Sequence, residues 1–275
     1  MRIWDCHVHA VGGETASDLL TQMDQAGLTR ISLFSYFPES HVEACPPVAR
    51  EKLRASIDHT AALQAADPDR IHGLFWADPR SEGILEEIEY ALVDRGLHGI
   101  KMIPDHWSAC DEFMFPLYEK VRELGKIIHF HSGILYAFGD SSRFCRPALF
   151  EALINFPGLK FALAHISWPW TDECLAVFGH FRSAASARGN ESGMWIDTCR
   201  GTPDAWRLDA LQKAVGFCGT NRIMYGTDTV PAHLGHHAPE HIRKDVALLQ
   251  DVIGVTEAQM TEFFWGAAEA LYEGT

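Results

Sequence analysis

Eight short apolar runs, at residues 2–8, 28–35, 70–76, 97–103, 126–131, 159–164, 193–198 and 222–226, alternate with longer amphipathic stretches. Each run is short and apolar enough for a strand of a parallel sheet buried on both faces. The stretches 14–26, 48–66, 82–95, 113–124, 147–155, 171–188 and 203–215 each carry an apolar stripe and predict helices. Glycine stands after Ala26, Arg95 and Leu124, where a left-handed cap ends a helix just ahead of the next strand. Thr202-Pro203 and Thr256-Glu257 have the form of helix starts. Eight strand–helix units in ~250 residues predict an α/β fold, a single (β/α)8 TIM barrel over residues 1–275, with extra C-terminal helices near 239–252 and 257–272. An open doubly wound sheet would place a Gly-rich phosphate loop after its first strand, where this chain has none.

Composition narrows the function. The chain is 47% hydrophobic and 22% charged, which is globular and ample for a core. Its 23 Lys and Arg against 37 Asp and Glu give a formal charge of -14, which repels a polyphosphate backbone and argues against nucleic acid as a partner. Seven cysteines lack any CxxC spacing and read as reduced thiols in a cytoplasm. Met1 leads straight into a strand without an apolar leader, and no run reaches the ~18 residues of a membrane span. These features predict a cytoplasmic protein with a small-molecule substrate; oligomeric state leaves no trace.

Four strand ends carry chemistry: Asp5-Cys6-His7-Val8-His9, His129-Phe130-His131, Ala164-His165 and Gly226-Thr227-Asp228. Alternate residues of a strand share a face, so His7 and His9 can close on one cation. Two unpaired imidazoles side by side are costly to bury, and a metal satisfies both. In a barrel all these residues fall on the C-terminal face, where barrel active sites sit. His129 lies a layer below His131 and reads as a core or supporting residue, and Asp5 as an orienting acceptor.

At these motifs the chain resembles the amidohydrolase superfamily, most closely its amidohydrolase-2 branch of metal-dependent barrel enzymes. DCHVH, HFHSG, LAHIS and RIMYGTDTV carry the resemblance, with GIKMIP and FFWGAAEALY as softer matches; Ala267 or Ala268 stands where the branch usually has Asn, and Val230 where Pro often stands. The resemblance implies a divalent metal ion, zinc by preference, held by His7, His9, His131 and Asp228, with His165 beside the open position. It further implies Asp228 and His165 as catalytic residues, Asp228 moving the proton of an activated water and His165 polarising a carbonyl. Lys101 is the ambiguous member: it either joins His165 at a second metal or meets an anionic substrate group, and one ion is favoured over two. The activity expected is hydrolysis of a C–N or C–O bond in a small carboxylated or cyclic molecule. Non-oxidative decarboxylation or C–C lysis on the same site is the alternative, and a non-catalytic metal-stabilised binding barrel the alternative of another class.

His237-Ala238-Pro239-Glu240-His241 spells HxxEH, a metalloprotease pattern that requires a helix. Pro239 is best suited to a first turn, which would leave His237 at the cap and break the pattern. Trp107, Trp168, Trp170 and Tyr136 with Arg143, Arg146 and Arg200 predict an aromatic mouth with cationic corners.

Overall fold

Each of the eight apolar runs forms a strand in the computed structural model, which describes residues 1–38, 47–136 and 140–274. In chain order these are β1 (Trp4–His9), β2 (Arg30–Phe34), β3 (Ile71–Trp76), β4 (Gly99–Met102), β5 (Ile127–Phe130), β6 (Lys160–Leu163), β7 (Met194–Asp197) and β8 (Ile223–Met224). All adjacent pairs are parallel, in the spatial order β1 to β8. Backbone bonds from Cys6 N to Tyr225 O, Asp228 N to His7 O and His9 N to Thr229 O bring the chain after β8 back onto β1. The architecture is a (β/α)8 TIM barrel.

β1 carries one extra residue against β2, since Asp5 pairs with Ile31 but Val8 with Leu33. This bulge lets Trp4 and Cys6 join the interior while His7 and His9 still face the cavity above. Trp4, Phe34, Leu74, Ile127, Trp195 and Met224 fill the lower barrel, and the last helical segment, Ala267–Tyr272, packs against them. Tyr272 stacks on Trp4 with ring centroids 5.2 Å apart.

The C-terminal helix expected over 257–272 is present, and the one before it departs from expectation. The helix expected from 239 runs over Pro231–Ala247 and continues through Leu248–Ile253. Pro231, not Pro239, occupies its first turn, and Pro239 lies inside. Leu234 and Ala238 are buried, and Gln22 of the first helix accepts from Gly235 N at 3.1 Å, so tertiary packing outweighs the interior proline. His237 and His241 therefore do share a helix, but no group of three ligating atoms forms around them among the described residues. Among those residues, no helix is long and apolar enough to cross a membrane.

His72 and His98 stack face to face low in the barrel wall, centroids 3.7 Å apart. Burial, then the neighbouring His98 and Arg30 charges, pushes His72 down to about 2; burial, then Lys126 and Arg30, pushes His98 down to about 4. Both rings are neutral in the fold yet protonate near pH 6.5 in the unfolded chain. Their stabilisation is therefore complete above about pH 6.5 and is lost on acidification, by about 1.4 kcal/mol per pH unit for each ring. Urea unfolding between pH 7 and 4 should show this slope, and His98→Gln should lower it by one proton; an unchanged slope in the variant refutes the assignment.

Candidate active site

His7 and His9 leave the end of β1 and meet Asp228, which follows β8. His7 Nε2 lies 3.0 Å from His9 Nε2, and Asp228 Oδ1 lies 3.3 Å from the first and 3.2 Å from the second. Ligand atoms around a tetrahedral zinc ion stand roughly 3.3 Å apart, so the three atoms mark one face of a cation site. Burial, then the Lys101 charge, holds His7 well below its ordinary pKa, which keeps its lone pair free. For Asp228 burial works against charge, but His7 and the hydrogen bond with His9 prevail, and the carboxyl is held below the usual range. Asp228 takes a left-handed backbone, φ 53°. Gly226 is required by close approach: a Cβ there would meet His7 Cβ at 2.9 Å and Asp197 Oδ1 at 3.1 Å.

Beneath this triangle lies Asp197, at the end of β7 and fully buried. Its Oδ2 accepts from His7 Nδ1 at 2.5 Å and from His129 Nε2 at 3.0 Å, and its Oδ1 accepts from Cys199 N at 2.7 Å. Burial alone would raise its carboxyl; the His7 and His129 partners outweigh that and hold it well down. Tyr272 OH stands 3.2 Å from His129 Nδ1, so the helix at the barrel floor is tied to the site. Asp5 accepts from His7 N, Thr227 N and Thr227 Oγ1, fastening β1 to the loop after β8. Burial dominates there and raises the Asp5 carboxyl to about 7.

His131 and His165 stand beside the triangle. His165 Nε2 is 3.1 Å from His131 Nδ1, and His165 Nδ1 is 3.0 Å from Cys199 Sγ. Both ring nitrogens of His165 are thus engaged, whereas His131 Nε2 is buried without a partner among the described residues. His131 is not among the residues whose ligating atoms cluster in threes; the groups among the described residues are His7, His9 and Asp228, then His7, His129 and Asp197, and His7, His165 and Cys199. His165, Ile166 and Ser167 run through three consecutive left-handed positions, a conformation costing roughly 1–2 kcal/mol per residue. Thr202 Oγ1 donating to His165 O and Ser132 Oγ to Ser167 Oγ hold this turn. Gly201 admits the His165 ring, since a Cβ there would lie 2.5 Å from it. Lys101, fully buried, brings Nζ within 3.3 Å of His7 Nε2, and burial lowers its pKa.

A sequence model of the family described as amidohydrolase (Amidohydro_2) matches residues 4–274. The chain belongs to the amidohydrolase family. Its barrel is similar to that of an uncharacterised TIM-barrel protein from Bordetella bronchiseptica, with TM-score 0.70 at 17% identity over 100% of this chain and 99% of that one. A dihydroxybenzoic acid decarboxylase from Polaromonas, solved with manganese and the inhibitor 2-nitroresorcinol, gives 0.69 at 16% over 99% and 97%. The 4-oxalomesaconate hydratase of Rhodopseudomonas palustris gives 0.67 at 16% over 99% and 96%. No curated protein matches the chain in sequence.

In this family member the triangle opens into a cavity of about 540 Å³ whose wall includes Trp76, Ile103, Leu135, Tyr136 and Arg200. The expected mouth is only partly realised. Trp107 is buried in the core, Arg146 pairs with Glu173 and covers Trp170, and Arg143 lies over Phe144. Long cationic side chains find acidic and aromatic neighbours on an acidic surface, so of the three arginines only Arg200 lines the cavity. Sequence reasoning missed Asp197, Cys199 and Trp76. For Asp197 a signal existed, a carboxylate closing the apolar run Met194-Trp195-Ile196. Cys199 offered none, being one scattered thiol among seven; Cys45 lies outside the described residues.

Proposed function

We propose that the chain is a divalent-metal-dependent hydrolase that cleaves a C–N or C–O bond in a small carboxylated molecule. The observation that carries this reading is the triangle of His7 Nε2, His9 Nε2 and Asp228 Oδ1 at the cavity floor, 3.0 to 3.3 Å on each side. Neutral imidazoles and a carboxylate are the donor chemistry a divalent cation takes, and His131, which lines the same cavity and whose Nε2 is buried with no partner among the described residues, is the candidate fourth donor. These four residues would hold the ion, zinc by preference, which supplies a Lewis acid that polarises a carbonyl and acidifies water.

The chain's own residues do the rest. Asp228, kept ionised, accepts the proton of the attacking water and returns it to the leaving nitrogen or oxygen. Arg200 Nη1 is held by Asp204 at 2.7 Å, and its Nε and Nη2 are buried with no partner among the described residues. Arg200 lines the cavity and brings a cationic side chain to its wall, the charge that suits a substrate carboxylate. Trp76 and Leu135 give the cavity an apolar wall for the body of the molecule.

Decarboxylation is the second reading, favoured by the manganese-containing decarboxylase of similar fold. Stripping the protein with a chelator and restoring Zn2+ or Mn2+ tests the first. Carboxylated lactams, lactones and amides should turn over only in the restored protein, with solvent 18O entering the product. Carboxylated phenols releasing CO2 without solvent oxygen would favour the second reading. Full activity in the stripped protein would overturn both.

A further inference from the structure

The helix Pro231–Ala247 begins directly after the loop that carries Asp228 and holds four histidines in nine residues, His233, His236, His237 and His241. Among the described residues none of the four lines the active-site cavity. Residues four apart stand on one face of a helix, so His233, His237 and His241 form a column with His236 beside it. The His233 and His237 rings lie nearly parallel, with centroids 5.4 Å apart and planes 29° apart. His241 is farther from His237, at 6.1 Å, and His236 is 5.2 Å from it but turned by 66°. Two imidazoles bound to one divalent ion, with metal–nitrogen bonds of about 2.0–2.1 Å, set their ring centres roughly 4.5–5 Å apart. The His233 and His237 pair needs only a small side-chain rotation to meet that spacing. His237 Nδ1 lies 3.4 Å from Thr229 Oγ1, which orients the ring and leaves Nε2 for an ion. His233 is exposed, and among the described residues its ring nitrogens have no hydrogen-bond or ion-pair partner.

We propose that His233 and His237 form a second metal site, which takes a divalent transition ion of the Ni2+, Cu2+ and Zn2+ class on two imidazoles and water. Imidazole suits these ions, and Cu2+ should bind most tightly. The HxxEH pair His237 and His241 is less suited. Burial, then the Arg200 charge, pushes His241 down to about 4, and the same charge repels a metal ion. Glu240 is taken by Lys244, at 2.9 Å. At His233 the helix N-terminus works against a cation by roughly 2–5-fold, whereas joining two donors on one face gains about 10²–10⁴-fold. The pair needs no third protein ligand, in keeping with the absence of a three-residue group around it among the described residues. It stands apart from His7, His9 and Asp228 and does not depend on the hydrolase reading.

Titration of the full chain with Cu2+, followed by electron paramagnetic resonance, tests the site. The His9→Ala variant, whose triangle is broken, should still bind one Cu2+ whose spectrum carries two imidazole nitrogens. Adding His233→Ala or His237→Ala to that variant should weaken this binding about 10²–10⁴-fold, while adding His241→Ala should leave it unchanged. Binding that survives both His233→Ala and His237→Ala, or that falls as far with His241→Ala, overturns the proposal. A His9→Ala protein that takes up no Cu2+ overturns it as well. His233 is exposed, so its replacement carries the test should His237→Ala disturb the packing against Thr229. A wild type that holds two ions and loses one in His233→Ala upholds both sites. A single ion kept in His9→Ala and lost in His233→Ala upholds this site and defeats the triangle instead.

Discussion

Asp228→Asn is expected to keep its divalent ion and lose turnover by about 10²–10⁴-fold, the usual worth of a positioned proton acceptor. The amide keeps an oxygen lone pair near His7 and His9 Nε2, now 3.3 and 3.2 Å from the carboxylate, but has no basic oxygen to take a proton. His7→Ala and His9→Ala should behave differently, because each removes a whole donor from the triangle and should lose the ion itself. Metal content per chain and kcat on the same probe substrate separate the cases. Full turnover in Asp228→Asn would refute the proton-transfer role. Loss of the ion together with activity would make Asp228 a ligand whose proton chemistry is not separately measurable.

The barrel was legible because a parallel strand buried on both faces writes itself as a compact apolar run, and eight such runs leave few alternatives. The His7 and His9 pair was legible for a related reason: strand periodicity converts sequence spacing directly into shared direction. The limits have equally physical causes. Pro239 reads as a helix start by local rules, yet Leu234 and Ala238 are buried and carry the helix through it from Pro231. Cys199 gains its meaning from Asp197, His165 and His7, the last 192 positions away in the chain, so no local pattern announces it. His165 lines the cavity, but the contacts of its two nitrogens, with His131 and Cys199, join residues 34 positions away on either side, which spacing does not announce. Side-chain hydrogen bonding between strand ends is decided in three dimensions, where residue type and spacing are silent.

Arg207→Ala is expected to destabilise the fold by about 3–5 kcal/mol, a large share of the 5–15 kcal/mol typical of a folded domain. Arg207 and Asp245 are 2% and 1% exposed, and the guanidinium chelates both carboxylate oxygens, at 2.6 and 2.5 Å. Removing the arginine leaves Asp245 as a buried charge with no counterion. The substitution also frees the Thr198 carbonyl, which accepts from Arg207 Nη1 at 2.8 Å between the site residues Asp197 and Cys199. The double variant Arg207→Met with Asp245→Leu removes both charges, and apolar replacement of a buried ion pair is often neutral or stabilising. Urea unfolding should therefore show the single variant well below wild type and the double variant recovering most of the difference. A single variant as stable as wild type would mean that Asp245 finds water or another donor once Arg207 is gone. A double variant that regains stability but binds Zn2+ more weakly would assign the Thr198 contact to the site, because the helix Asp204–Cys218 would then be shown to steady the end of β7 through Arg207.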